Sequence, residues 1–351
     1  MLDEFLTNIN KNSLFNKEDY LLLAISGGID SVVLAHLLYQ AKFKFALAHC
    51  NFGLRGQDSI DDEKFCMDLA KSFQCPFYSI KFNTQQFAED SKLSIQIAAR
   101  QLRYNYFSEI MQLHTFKYLV TAHHLDDNIE TVFSNILRET GIRGIQGMSL
   151  KFRYTIKPLL NFTKRDILKF ATQYNIEYRE DSSNNDTKYK RNQIRHNIIP
   201  ALQDIQPSLY TVFKKNIQIW QQENNFIESQ IEELKNKLIT YNKNDIHIYI
   251  PKLLQHHDNQ LILFRILHQY GFNEEQTKDI FTMYENLQSG KKIISEKYLA
   301  VLDRKYLIIS KKHTPTTTYI CHNLNELNLF SSSLYCSLIK PDSINFSEQQ
   351  T

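Results

Sequence analysis

The chain has no run of about twenty apolar residues, the length a helix needs to cross a bilayer, so no membrane partner is expected. Its first residues, MLDEFLTNIN, carry acids where a secretory signal would carry a basic region, and the expected location is cytoplasmic. Cysteine is sparse. The five, Cys50, Cys66, Cys75, Cys321 and Cys336, are odd in number and include no C-x-x-C pair, which argues against a disulfide framework and against a zinc or iron-sulfur knuckle. They read as reduced thiols. Internal repeats and low-complexity tracts are absent too. Net charge is only +3, yet residues 151–200 hold eleven Lys or Arg against five acids, so that segment is +6 and the remainder −3. Such a basic segment is a candidate polyanion site, although a solvated charged face has the same composition.

What is present is a chain of 351 residues, 42% hydrophobic, long enough for a sizeable core and two or more domains. Short apolar runs at 19–25, 43–49, 76–82 and 117–122 are separated by helix-like segments, the alternation expected of βαβ units in a Rossmann-like parallel sheet. Acids at Ser59-Ile60-Asp61-Asp62-Glu63 suit a first helical turn, and Ser94 opens the stretch SIQIAARQLRYNYFSEIMQL. Beyond residue 207 the character changes. A polar-flanked helix (208–241), a helical pair (253–288), the turn Ser289-Gly290-Lys291 and KIISEKYLAVLDRKYLIIS predict a smaller α+β domain. The expected division is 1–207, 208–312 and an unassigned 313–351 that would be a shortened C-terminal domain.

Between two apolar runs stands Ser26-Gly27-Gly28-Ile29-Asp30-Ser31. If 20–25 is a strand and 31–39 a helix, these residues form the loop at a strand's carboxyl end, where open α/β sheets bind ligands. Two glycines let a ligand approach the main chain, and a helix N-terminus favours phosphate. The loop lacks the G-K-[ST] of a Walker motif and the spacing of G-x-G-x-x-G. Asp30 beside phosphates is repulsive unless Mg²⁺ lies between them, which makes it the candidate metal ligand. A plain glycine turn with Ser31 as N-cap also fits.

A second constellation follows the run 117–122: His123-His124, then a helix from near Asp126 that places Asp126 and Glu130 four apart and Asp127 and Glu130 three apart. Such carboxylates can hold an ammonium, a Mg²⁺ or both, and either histidine can move a proton. Acids at a helix N-terminus also arise for dipole reasons alone, and His-His-x-Asp-Asp is good ligand chemistry for a two-metal phosphoesterase.

SGGIDS resembles the PP-loop of the N-type ATP pyrophosphatases, which split ATP between the α- and β-phosphates and adenylate a substrate. Four further stretches, AHCNFGLRG (48–56), ARQLRYNYF (99–107), TAHHLDDNIETVFSNILRETGIRGIQGM (121–148) and KPLLNFTKRDI with REDSSNNDTKYKRNQIRHNIIPAL (157–202), are together similar to the tRNA(Ile)-lysidine synthetase family. The likeness is dense between residues 18 and 205 and thins afterwards. Phe52 stands where many relatives have histidine, Glu139 where many have glycine, and the chain ends sooner than many bacterial members.

The resemblance implies a ligase that uses ATP and Mg²⁺ to attach L-lysine to C2 of the wobble cytidine of tRNA(Ile) with a CAU anticodon, through an adenylated cytidine, so that the anticodon reads AUA instead of AUG. It implies ATP on Ser26, Gly27, Gly28, Ile29, Asp30 and Ser31, with His49 and Asn51 flanking the adenine or serving only as a strand end. Asp30, Arg100, Arg103, His124, Asp127 and Glu130 would be catalytic. Asp126, Asp127, Glu130, Arg191 and Arg195 would bind lysine or tRNA. Arg100 and Arg103, three apart on a helix, could equally be surface salt-bridge residues, and Asp181-Ser182-Ser183-Asn184 with Arg191 and Arg195 suits RNA backbone contacts or an exposed basic helix. A homodimer is left open. A pyrophosphate cradle weighs against a phosphoesterase, the lack of paired cysteines against a thiolating enzyme, the basic segment against an amide ligase for a small metabolite, and intact Asp30, Asp126, Asp127 and Glu130 against a non-catalytic RNA-binding protein.

Overall fold

The computed structural model describes residues 1–138, 140–179, 190–286 and 288–312. Glu139, the Asp181-Ser182-Ser183-Asn184 stretch and 313–351, with Cys321 and Cys336, lie outside the described residues. The chain divides into two units, Met1–Ser229 and Gln230–Thr351.

The first unit runs α1 (Leu2–Lys11), β1 (Tyr20–Ala24), α2 (Ile29–Gln40), β2 (Lys44–Asn51), α3 (Gln57–Ser72), β3 (Phe77–Lys81), α4 (Thr84–Asp90), α5 (Ile95–Leu113), β4 (Tyr118–Val120), α6 (Leu125–Ile136), α7 (Ile142–Ile145), β5 (Lys151–Phe152), β6 (Thr155–Ile156), α8 (Lys164–Gln173) and α9 (Lys190–Gln193). A π-helical turn (Ile194–Ile198), α10 (Ile199–Ile205) and the long α11 (Leu209–Leu238) follow. The sheet order is β3-β2-β1-β4-β6-β5. Every pairing is parallel except that of β5 with β6.

β1 is apolar throughout because helices cover both faces of the sheet. Leu21 and Leu23 point into a core with Phe5, Val33, Leu37 and Phe170, while Leu22 points the other way, against Ala46, Phe107, Phe116 and Leu119. The order places β2 and β3 on one side of β1 and β4 on the other. The chain therefore reverses direction between β1 and β4, and the loops leaving both strands open onto one crevice, the topological switch point of an open α/β sheet. The parallel sheet is as the apolar runs predict; α1 and the short β5–β6 hairpin are additions.

The second unit is an antiparallel sheet, β7-β8-β11-β10-β9, made of β7 (Ile239–Asn242), β8 (Asp245–Tyr249), β9 (Lys292–Ile294), β10 (Tyr298–Asp303) and β11 (Tyr306–Lys311). Helices α12 (Ile250–Leu253), α13 (Asn259–His268) and α14 (Glu274–Glu285) contribute Leu253, Leu263, Ile266 and Ile280 to its buried side chains. This is the expected smaller α+β unit. Among the described residues no helix is long and apolar enough to cross a membrane.

One backbone feature fixes α6 against the chain that follows it. Gly147 has φ +68°, and the Asn128 carboxamide oxygen lies where its Cβ would be while accepting the Met148 N–H at 2.6 Å. Gly147→Ala is expected to destabilise the protein by about 2 kcal/mol or more, through left-handed strain and loss of the Asn128 bond. Thermal unfolding against Gly141→Ala, where a Cβ meets open space, checks this.

Candidate active site

The loop after β1 is closed by its own side chains. The Ser26 N–H donates to Ser31 Oγ at 3.2 Å, and Ser31 Oγ donates to the Gly28 carbonyl at 2.9 Å. Ser31 is thus inside the first turn of α2 and knots the loop; the N-cap is Gly28, with no side chain capping the helix. The first-turn N–H groups at Ile29 and Asp30 have no intrahelical acceptor and suit an anion. Gly27 has φ +87°, its carbonyl accepts the Arg179 N–H at 2.9 Å, and an added Cβ would touch Cys66 Sγ and Arg179. A phosphate cradle with backbone donors and no blocking side chain fits these residues.

His49 and Asn51 support the loops around it. His49 Nδ1 donates to the Ile25 carbonyl at 3.0 Å, and burial lowers its pKa despite that bond. The Asn51 amide donates to the Ser59 carbonyl and to Glu63 Oε2 at 3.2 and 2.9 Å, and its oxygen accepts from Gly53 at 3.0 Å.

The loop after β4 carries the second half. His124 is buried with Nε2 at 3.7 Å from Asp30 Oδ2 and 3.5 Å from Asp127 Oδ2, and Nδ1 at 3.4 Å from Asp126 Oδ2. Burial by itself would lower the His124 pKa, but the Asp126, Asp127 and Asp30 carboxylates outweigh it and the net direction is upward. His123 behaves oppositely: burial drives its pKa down to about 4, only partly offset by Asp127. Two adjacent histidines are thus shifted in opposite directions.

Asp30 also receives Lys164 Nζ at 2.6 Å, and the Lys164 backbone N–H donates to Asp126 at 2.8 Å. In the sequence Lys164 is one of eleven basic residues, and nothing in the spacing signals that it meets a carboxylate 134 positions away. Among the described residues no group of three or more His, Cys, Asp or Glu is arranged to hold a metal. Mg²⁺ would therefore have to share Asp30 with phosphate oxygens, in the way this ion is commonly held.

Glu130, 0% exposed, accepts from Arg191 Nε at 2.6 Å and Arg195 Nε at 2.5 Å; Arg191 Nη2 also reaches Asp127 at 2.7 Å. The structure so brings together the carboxylates and the two arginines that sequence reasoning set apart. It does not bring Arg100 and Arg103 together. Arg100 joins His123, Glu130 and Arg191 in lining a cavity of about 710 Å³, whereas the Arg103 guanidinium lies 5.2 Å from the ring centre of Phe52, itself stacked on Phe82.

The PP-loop domain family model matches residues 1–202, and that of the TilS substrate binding domain matches 241–312. A tRNA(Ile)-lysidine synthase of Bacteroides thetaiotaomicron is 35% identical over 301 residues, 86% of this chain and 70% of the relative. The chain belongs to the tRNA(Ile)-lysidine synthase family. Another member, from Porphyromonas gingivalis W83, is 34% identical over 305 residues, 86% of this chain and 66% of its own length, so the chain spans about two thirds of these relatives. Outside the family, a U34-tRNA thiolase, NcsA from Methanococcus maripaludis, shares the fold at TM-score 0.51 and 16% identity, covering 62% of this chain and 77% of its own.

Glu130→Gln is expected to cost about 3 kcal/mol, the low end for breaking a buried pair because both arginines are partly exposed, and unfolding melts measure it. Titrated by NMR, His123 should stay neutral down to about pH 4 while His124 stays charged above the ordinary 6.5. The stabilisation from charged His124 is then complete below pH 6.5 and lost as pH rises through its raised value. Asp126→Asn should move the His124 titration downward.

Proposed function

We propose that this enzyme ligates lysine to C2 of the wobble cytidine of a tRNA(Ile) bearing a CAU anticodon, consuming ATP and passing through an adenylated cytidine, and so converts AUG reading to AUA reading. The observation that carries this reading is the contact of His124 with Asp30 at 3.7 Å, which joins a phosphate-cradling loop to a carboxylate and arginine cluster in one crevice. Family membership supplies the substrate class. Residues 1–207 form the catalytic part in this reading, and 208–312 contribute to tRNA binding.

In the first step the cytidine C2 oxygen attacks the α-phosphate and diphosphate leaves. The loop N–H groups at Ile29 and Asp30, Lys164 and His124, whose pKa its carboxylate neighbours raise, hold the phosphate charge that develops, as preorganised electrostatic stabilisation. Arg100 contributes from the cavity wall. Mg²⁺, held by Asp30, would supply charge neutralisation between the phosphates. In the second step the lysine amine attacks C2 and AMP leaves, now a good leaving group where a ring oxygen was a poor one.

The amino acid is recognised as a zwitterion. Asp127 and Glu130 offer carboxylates to its ammonium groups while Arg191 and Arg195, already paired with them, offer guanidiniums to its carboxylate or to RNA phosphate. The attacking amine must lose a proton. His123, which lines the same cavity as Glu130, and His124 beside Asp127 are the imidazoles placed to take it. Sulfur transfer through the described cysteines is disfavoured: burial pushes the Cys50 and Cys66 thiols up to about 12 and Cys75 to about 11, far from reactive thiolates.

Asp127 is less deeply buried than Glu130, which holds two arginines, so Asp127→Asn tests the second step with less harm to folding than Glu130→Gln. In single turnover with α-labelled ATP and tRNA(Ile) transcript, the variant should accumulate adenylated RNA and need at least about tenfold more lysine to release AMP, the cost of one charged contact. AMP release by the wild type at one rate with or without lysine would overturn the reading.

A further inference from the structure

The cavity that holds Glu130 extends beyond the carboxylate cluster. It is lined by Glu130, Thr131, Ser134 and Asn135 of α6 and by Arg138 in the turn that follows the helix, and its volume of about 710 Å³ is within the range of a nucleotide-sized site. Five cations line it, Arg100, Arg138, Arg153, Lys157 and Arg191, against one acid, Glu130. No residue of the loop 26–31 lines it, so a nucleotide triphosphate held by that loop does not account for its whole length.

The wall away from α6 includes the β5–β6 hairpin. At its tip Phe152 is 60% exposed and Tyr154 39% exposed, and Arg153 adopts φ +53°, rarely populated by L side chains, with its guanidinium 5.4 Å from the Phe152 ring centre. The tip is anchored: the Leu119 N–H donates to the Tyr154 carbonyl at 2.8 Å, and Lys151 Nζ reaches the Tyr118 hydroxyl at 3.1 Å. A lone exposed phenylalanine is ordinary. An exposed ring with a guanidinium beside it, on the rim of a cationic cleft, has the composition of a base-stacking platform.

We propose that the β5–β6 hairpin binds an unpaired nucleotide flanking the one that reacts, with its base stacked on Phe152 and Arg153 and its phosphate held by Arg138 and Lys157. The inference rests on the reading above, that the substrate is an RNA loop whose wobble base enters beside Glu130. It adds a subsite that binds substrate without touching the reacting atoms. The cationic lining favours a polyanion over a protein segment as the occupant.

The test uses the whole enzyme and anticodon-loop RNAs carrying 2-aminopurine at each position next to the wobble cytidine. Wild type should quench the fluorescence at one of these positions; Phe152→Ala should abolish the quenching and Phe152→Trp restore it. In steady state Phe152→Ala should raise the KM for tRNA about tenfold with kcat and the KM values for ATP and lysine unchanged, in the range of one lost stacking contact. Quenching that is equal in wild type and Phe152→Ala, or a change in the KM for ATP instead, would overturn the proposal. Because quenching needs no turnover, it can succeed while the lysine-ligation reading fails, so the two failures are distinguishable.

Discussion

The His124 imidazole, buried among three aspartates that raise its pKa, is the constraint on which the rest of the site depends. His124 follows β4, Asp30 lies in the first turn of α2, and Asp126 and Asp127 lie in the first turn of α6, so a single ring stands between two loops that are ninety-four residues apart in the chain. Burying such charges is tolerable only when they balance. The balance is reached by bringing in Lys164 on Asp30 and Arg191 and Arg195 on Asp127 and Glu130. The crevice is therefore built from alternating signs, and any substrate that binds there must replace one of these partners with a charge of its own. A phosphate, an ammonium and an amino-acid carboxylate can each do so.

Much of this was legible in the sequence. The apolar runs announced the parallel sheet, and the glycines of the loop 26–31 stood where a strand hands over to a helix, which is a local signal. The carboxylates of α6 were legible because helical spacing turns positions three and four apart into neighbours. Ser31 was harder. A serine before a helical run reads as a cap, but the helix begins two residues earlier and its hydroxyl holds Ser26 and Gly28 instead.

The partners of the carboxylates were not legible, because long-range pairing leaves no periodic trace. Lys164, Arg191 and Arg195 contribute to the +6 of residues 151–200, which from composition alone looks like free basic surface. In the fold these three cations neutralise acids from α2 and α6, and Arg179 pairs with Asp62 of α3 at 3.0 Å. Summed charge counts residues and not neighbours. Arg138, Arg153 and Lys157 instead line the cavity. The β5–β6 hairpin was missed for a related reason: two-residue strands are too short to show alternation.

The most direct measurement is to incubate the protein with ATP, Mg²⁺, radiolabelled lysine and a panel of tRNA transcripts, then digest the RNA and identify the labelled nucleoside. The account predicts label in the CAU-anticodon isoleucine tRNA alone, on the wobble cytidine, with one AMP released per lysine incorporated. Lysine-independent AMP release with no label in any RNA would contradict it.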